Sequence, residues 1–233
     1  MLKVSRNDMK NLFNGLIQLF FPRYCLCCDR FIPHENMFVC IDCQMDLGKS
    51  MVPLEAERAR IFGAYPQVQS LDIAYTYLKS AKVQKLIHHL KYYGYPEIGR
   101  LMGTRLGGQF QDRGLKVDYI VAVPIHWKKK KQRGYNQSEI IAQGVSAVTA
   151  IPIHGQVVKK VKHNTSQTRK NIEQRRKNVR SVFQVNPKLN LNGKSVLLLD
   201  DVLTTGATLE AIIILLIEAY PEIKISVAVL AMA

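Results

Sequence analysis

The sequence predicts an α/β protein with a central, mainly parallel sheet flanked by helices and a small metal-dependent module ahead of it. Three observations lead there. The runs Tyr119–Val123, Val196–Leu199 and Ile225–Ala233 have strand length and are apolar throughout except for Ser226, as strands buried on both faces are. Between them lie stretches with apolar residues at helical spacing, such as Val83, Leu86, Ile87 and Leu90. All five cysteines fall between residues 25 and 43.

At 233 residues, with 47% hydrophobic side chains, the chain can bury one full core and carry a small appendage, which excludes a disordered protein. The formal charge is +15, which points to a polyanionic partner or a phosphate-rich ligand. That charge is uneven. Residues 159–180 hold nine Lys or Arg against Glu173, and Lys128–Lys131 with Arg133 add five more. No run reaches the ~18 consecutive apolar residues of a membrane span. Leu12, Phe13, Leu16, Ile17 and Phe20 follow helical spacing and no small-residue cleavage site comes after them, so an amphipathic helix and a cytoplasmic location are expected.

Cys25-x2-Cys28 and Cys40-x2-Cys43, eleven residues apart, have the spacing of two knuckles that offer four thiolates to a tetrahedral zinc ion. Few apolar residues lie between them, so such a unit depends on its metal to fold. Two disulfides are the rival account, disfavoured by the odd cysteine, Cys27, and by the lack of a secretion signal. Replacement of one ligand by Cys27 or His34 stays open. The module is either a docking site or a structural clip.

After a connector over residues 51–70, marked by Pro53, Gly63 and Pro66, a strand is expected over Leu71–Leu78 and a helix over Lys82–Tyr92 that Gly94 ends. His88 and His89 on that helix point in different directions and read as surface or packing residues. Lys91 reads as a cation complementing the helix dipole, within reach of a phosphate. A helix over Pro96–Phe110, the strand Asp118–Pro124 and a basic loop to Asn136 come next, followed by a helix over Gln137–Ala147. His126 in that loop has only its position to suggest acid–base work. A third strand, Ile153–Val161, leads into a polar, cationic segment from Lys162 to Asn171, a short basic helix over Ile172–Val179 and a strand over Val182–Val185. The last strand, Ile225–Ala233, ends the domain, and no further domain is expected.

The most informative stretch runs from Val196 to Leu209. A buried strand ends on Asp200 and Asp201, and Thr204-Thr205-Gly206-Ala207-Thr208 then turns tightly into a helix over Leu209–Tyr220. N–H groups at a helix start, the helix dipole and three hydroxyls make a cradle for a phosphate. The adjacent carboxylates suit neutral hydroxyls or a divalent cation instead. A sugar phosphate satisfies both halves. Gly193-Lys194-Ser195 has the tail of a P-loop, but Lys188 stands where the first glycine belongs. In an open α/β sheet the basic loop after Pro124 faces the same crevice.

Four apolar residues, Asp200-Asp201, two apolar residues and Thr204–Thr208 resemble, without a gap, the PRPP-binding loop of type I phosphoribosyltransferases. The resemblance implies the fold of that family, ribose hydroxyls held by Asp200 and Asp201, and a 5′-phosphate held by Thr204, Thr205, Gly206, Ala207 and Thr208. It further implies pyrophosphate near Lys128 or Arg133, a closing loop containing Gln167 and Arg169, and magnesium bound with PRPP. With the cysteine pairs, Leu90–Gly94, Arg133–Gln137 and the Gln167 to Phe183 spacing, the chain is similar to the ComF competence family. That resemblance implies single-stranded DNA handling during DNA uptake, beside an ATP-driven DNA translocase. The organisation expected is an N-terminal helix and zinc-finger module over 1–50, the connector, and a phosphoribosyltransferase-like domain over 71–233. Two classes of function follow: a phosphoribosyltransferase, including a nucleobase-salvage enzyme of nucleotide metabolism, or a non-catalytic module that senses PRPP and binds nucleic acid. For stacking on bases, Trp127 and Tyr135 are the aromatics among the charges.

Overall fold

The computed structural model describes residues 22–33, 37–48, 50, 52–76, 81–161, 182–186 and 188–233. They belong to two compact units, Met1–Gly48 and Lys49–Ala233. The expected N-terminal helix over 12–21, His34, the polar segment with Gln167 and Arg169, and the helix over 172–179 lie outside the described residues.

In the first unit Tyr24 and Phe31 form an antiparallel bridge, and the one helix among the described residues, α1 (Ile41–Asp46), is capped by the Cys40 sulfur, which accepts the Cys43 N–H at 3.4 Å. Besides cysteines, Ile32, Val39 and Leu47 are its buried apolar side chains among the described residues. Three such side chains cannot offset the chain entropy of ordering the unit.

The second unit runs α2 (Leu54–Phe62), β1 (Val68–Thr76), α3 (Ala81–His88) with a π-helical turn over His89–Tyr93, α4 (Pro96–Asp112), β2 (Tyr119–Ala122), α5 (Trp127–Arg133), α6 (Gln137–Thr149), β3 (Val158–Lys160), β4 (Phe183–Val185), β5 (Ser195–Leu203), α7 (Ala207–Ala219) and β6 (Lys224–Met232). Four strands make a parallel sheet in the order β1-β6-β5-β2. In register, Ala122 lies beside Leu199, and Leu199 beside Ala228. Successive side chains alternate faces. Val196, Leu198, Val227 and Val229 meet Leu209, Ile212 and Leu216 of α7 in one core, while Leu197, Leu199 and Leu230, also fully buried, face the layer of α4 and α6. Those two helices cross backbone against backbone: a Cβ on Gly103 would collide with the Ile141 carbonyl, and one on Gly144 with the Arg100 carbonyl. The close crossing brings the start of α6 to the sheet's carboxyl edge.

The α/β class and most elements are as expected; four details differ. Residues 51–70 are no bare connector: Pro53 and Gly63 bound helix α2 as its N- and C-cap positions, and Phe62 and Val68 enter the main core. The basic loop contains α5, closed by Gly134 in the left-handed conformation. The third strand is cut short by a turn after His154, so β3 pairs antiparallel with β4 in a separate ribbon while Ile153 only bridges Ile120. Strand β5 runs past the acid pair to Leu203, because Val202 and Leu203 continue its pairing with β6.

Candidate functional site

Parallel strands end at one edge, and there, at the ends of β2 and β5, a cleft of about 410 Å³ opens. Asp200 and Asp201 line it. The Ser138 hydroxyl and the Asp201 N–H both donate to Asp200 Oδ1 at 2.9 Å. Ser138 is held in turn by Asn136, the N-cap of α6, whose Oδ1 accepts the Ser138 N–H at 3.2 Å while its Nδ2 donates to the Val123 carbonyl at 2.9 Å. The end of β2, the start of α6 and the end of β5 are thereby tied together. Burial, and next the neighbouring Asp201 charge, push the Asp200 carboxyl up to about 7, so it titrates near neutrality. Asp201 stays paired: Lys91 Nζ lies 3.0 Å from its Oδ2, with side chains 22% and 14% exposed.

Beyond β5, Thr204–Thr208 cup a hollow of about 50 Å³ that Asp200 also borders. Thr204, Thr205 and Thr208 are exposed around it and Ala207 opens α7. Gly206 has φ 78°, where a side chain would be strained, and a Cβ there would stand 2.6 Å from Ile61 Cγ2. The first-turn N–H groups of α7 have no partners within the helix, and the hydroxyls beside them are donors too. The Ala207 N–H donates to Thr205 Oγ1 at 3.4 Å; the other donors at this helix start face the hollow's rim, an arrangement able to receive an anion.

The cationic wall differs in part from expectation. Arg133 and Lys129 line the cleft; Lys128 does not, and lies over the Trp127 ring at 5.7 Å. His126 is buried, and its Nδ1 accepts the Lys128 N–H at 3.3 Å as the N-cap of α5. Sequence reasoning missed Lys160 of β3, whose ammonium pKa is lowered by burial and by Lys129, and also Ser138 and Gln137. Gln137 is buried in the cleft wall, and its Nε2 has no hydrogen-bond partner among the described residues. Lys91 was visible as a cation at a helix end but its carboxylate partner was not. No local pattern marks Lys160.

In the first unit the sulfurs of Cys25, Cys28, Cys40 and Cys43 lie within 4.8 Å of one another, close to the ~3.8 Å spacing of a tetrahedral zinc–thiolate site. None of them is bonded to another, and four sulfurs converging on one point suit a shared metal better than two separate disulfides. Burial opposes ionisation of Cys25, but N–H groups of Cys40 and Cys27, at 3.3 and 3.4 Å, outweigh it and bring the pKa down to about 6. The donor set fits zinc. Cys27 contributes its backbone N–H and stands outside the four-sulfur cluster.

Residues 132–233 match the family model of the phosphoribosyl transferase domain, and the parallel sheet flanked by helices agrees with the fold of that domain. Competence protein F of Haemophilus influenzae is 37% identical over 94 residues, 40% of this chain and 41% of that protein, and DNA utilization protein YhgH of Salmonella typhi is 25% identical over 83% of both chains. With the four-cysteine cluster, these matches fit a ComF-like protein. Among solved structures, adenine phosphoribosyltransferase of Saccharomyces cerevisiae matches 60% of this chain and 68% of its own at 15% identity and a TM-score of 0.36. UMP synthase of Leishmania donovani matches 68% and 27% at 18% identity and 0.37.

Proposed function

We propose that the cleft binds a sugar 5-phosphate of the PRPP class, PRPP or ribose 5-phosphate, with the phosphate in the Thr204–Thr208 hollow and the pentose hydroxyls on Asp200 and Asp201. The observation that carries this reading is the exposed hydroxyl loop at a helix start bordered directly by a carboxylate pair. Helix N–H groups and threonine hydroxyls donate to phosphate oxygens, and the carboxylates accept from sugar hydroxyls. Lys129, Arg133 and Lys160 line the same cleft and suit a diphosphate on C1.

Phosphoribosyl transfer is the catalytic form of the proposal. As the C1–O bond breaks, positive charge develops on the ring and is matched by the Asp200 and Asp201 carboxylates, while Arg133 and Lys129 hold the departing oxygens. Asp200 must be ionised to contribute, so rate would rise with pH through about 7. Of the acid pair's four carboxylate oxygens, two are already engaged from within the protein. Asp200 Oδ1 is taken by two donors, Asp201 Oδ2 by Lys91, and four cations line the cleft.

The test is thermal unfolding with PRPP: a ligand at ~100 times its Kd stabilises by about 2.7 kcal/mol, several degrees. Asp200→Asn with Asp201→Asn should abolish the shift; an undiminished shift refutes the assignment. Pyrophosphate release in the presence of nucleobases then separates a transferase or salvage enzyme from a PRPP-sensing module.

Single-stranded DNA handling is a second reading, supported by the names of the relatives and by one surface. Tyr92, Tyr93 and Trp127 are each at least 60% exposed, Arg133 sits over the Tyr92 ring at 5.3 Å, and Lys128–Lys131 are exposed beside Trp127. Rings among cations suit stacked bases and phosphates. Tyr135, expected in that role, instead donates its hydroxyl to the Leu90 carbonyl at 2.6 Å. The structural zinc, the cytoplasmic location and an ATP-driven translocase partner complete the proposal. The location rests on the sequence's lack of a membrane span and of a signal cleavage site, and the partner on the family resemblance.

A further inference from the structure

Lys91 comes from outside the matched domain, on the π-helical turn His89–Tyr93 that ends α3. A π turn carries one extra residue, shifting the side chains beyond it around the helix. Here it presents Lys91 to the acid pair, 3.0 Å from Asp201 Oδ2 with both side chains largely buried. The pair lines the cleft together with Lys129, Arg133 and Lys160. Among the described lining residues, four cations thus face two carboxylates, and Asp200 is only partly ionised at neutral pH. An approaching divalent cation meets net positive charge, with one oxygen of each carboxylate, Asp200 Oδ1 and Asp201 Oδ2, already held from within. A polyanion meets the reverse.

We propose that Lys91 is the built-in counter-cation of the acid pair, and that the cleft takes its sugar phosphate as a free polyanion with no divalent metal escort. The proposal rests on the sugar-phosphate reading of Thr204–Thr208. An ammonium has three donors. One stays on Asp201 Oδ2, leaving Oδ1 for a sugar hydroxyl, and the others face ligand oxygens that a metal would otherwise neutralise. Lys91 is thereby a specificity-determining residue: it admits the uncomplexed sugar diphosphate.

The experiment is calorimetric titration of PRPP into the full-length, zinc-loaded protein, in buffer stripped of free divalent ions and again with about 5 mM magnesium, which coordinates phosphate oxygens. Wild type should bind in both, with affinities within about threefold. Lys91→Met should bind at least about tenfold more weakly without magnesium and recover when it is added, which also shows that the variant is folded. Lys91→Arg, which restores the charge, should keep metal-free binding. Wild-type binding that requires magnesium overturns this inference and leaves the sugar-phosphate site standing; no PRPP binding in either buffer defeats both. A Met variant as tight as wild type without magnesium, or one that magnesium fails to restore, or an Arg variant as weak as Met, also overturns it.

Discussion

Replacing Asp200 by Asn removes a charge without removing an acceptor. Asn Oδ1 can still take the Ser138 hydroxyl and the Asp201 N–H that Asp200 holds at 2.9 Å. In the native protein the Asp200 carboxyl is raised from 3.8 to about 7. An acid whose pKa is raised by folding binds its proton more tightly in the native state, so stability falls as pH rises through the window from about 4 to about 7. Integrated over that window, the ionised carboxylate costs the fold about 2 kcal/mol at pH 5.5 and about 4 kcal/mol at pH 8; cleft water makes these upper figures. Asn has no such dependence. In urea denaturation followed by far-UV circular dichroism, with zinc present throughout, the stability of Asp200→Asn relative to wild type should rise by about 2 kcal/mol between pH 5.5 and pH 8. A difference that stays flat, or moves the other way, would show that the carboxyl titrates in its ordinary range and that the acid pair is not under charge strain.

Three further outcomes are expected. Wild-type protein should carry about one zinc per chain by atomic absorption, and Cys→Ser at 25, 28, 40 or 43 should lower that content; a zinc-free native protein would refute the metal site. Gly206→Val should abolish the PRPP-induced thermal shift and destabilise by roughly 1–3 kcal/mol, since φ 78° and the nearby Ile61 side chain leave no room for a branched residue; a retained shift would place the phosphate elsewhere. Changing Lys128–Lys131 together to Gln should weaken binding to single-stranded DNA and flatten its salt dependence by about 0.7 in log–log slope for each phosphate that the variant no longer neutralises. Unchanged affinity across salt concentrations would remove that surface from the DNA reading.

The strand, acid pair, hydroxyl loop and helix start from Val196 to Leu209 were legible because they are consecutive. Local sterics place Gly206 at positive φ, and a parallel strand must deliver Asp200 and Asp201 to its carboxyl end. The four clustered cysteines were legible for the same reason, each pair being fixed by a two-residue spacing. Helices α2 and α5 were not, because Pro53, Gly63 and Gly134 mark helix boundaries and loops alike. Residues 91, 138 and 160 belong to three different elements, and nothing in their own neighbourhoods says that they meet. Only when the sheet aligns its strand ends, and the α4–α6 crossing at Gly103 and Gly144 brings Ser138 to the edge, do a hydroxyl and two ammonium groups gather around the carboxylates. By itself the sequence determined which groups could hold a phosphate and a metal. The charge state of the acid pair, and the lysine that neutralises it, were decided by tertiary packing, since burial and through-space charge have no representation along the chain.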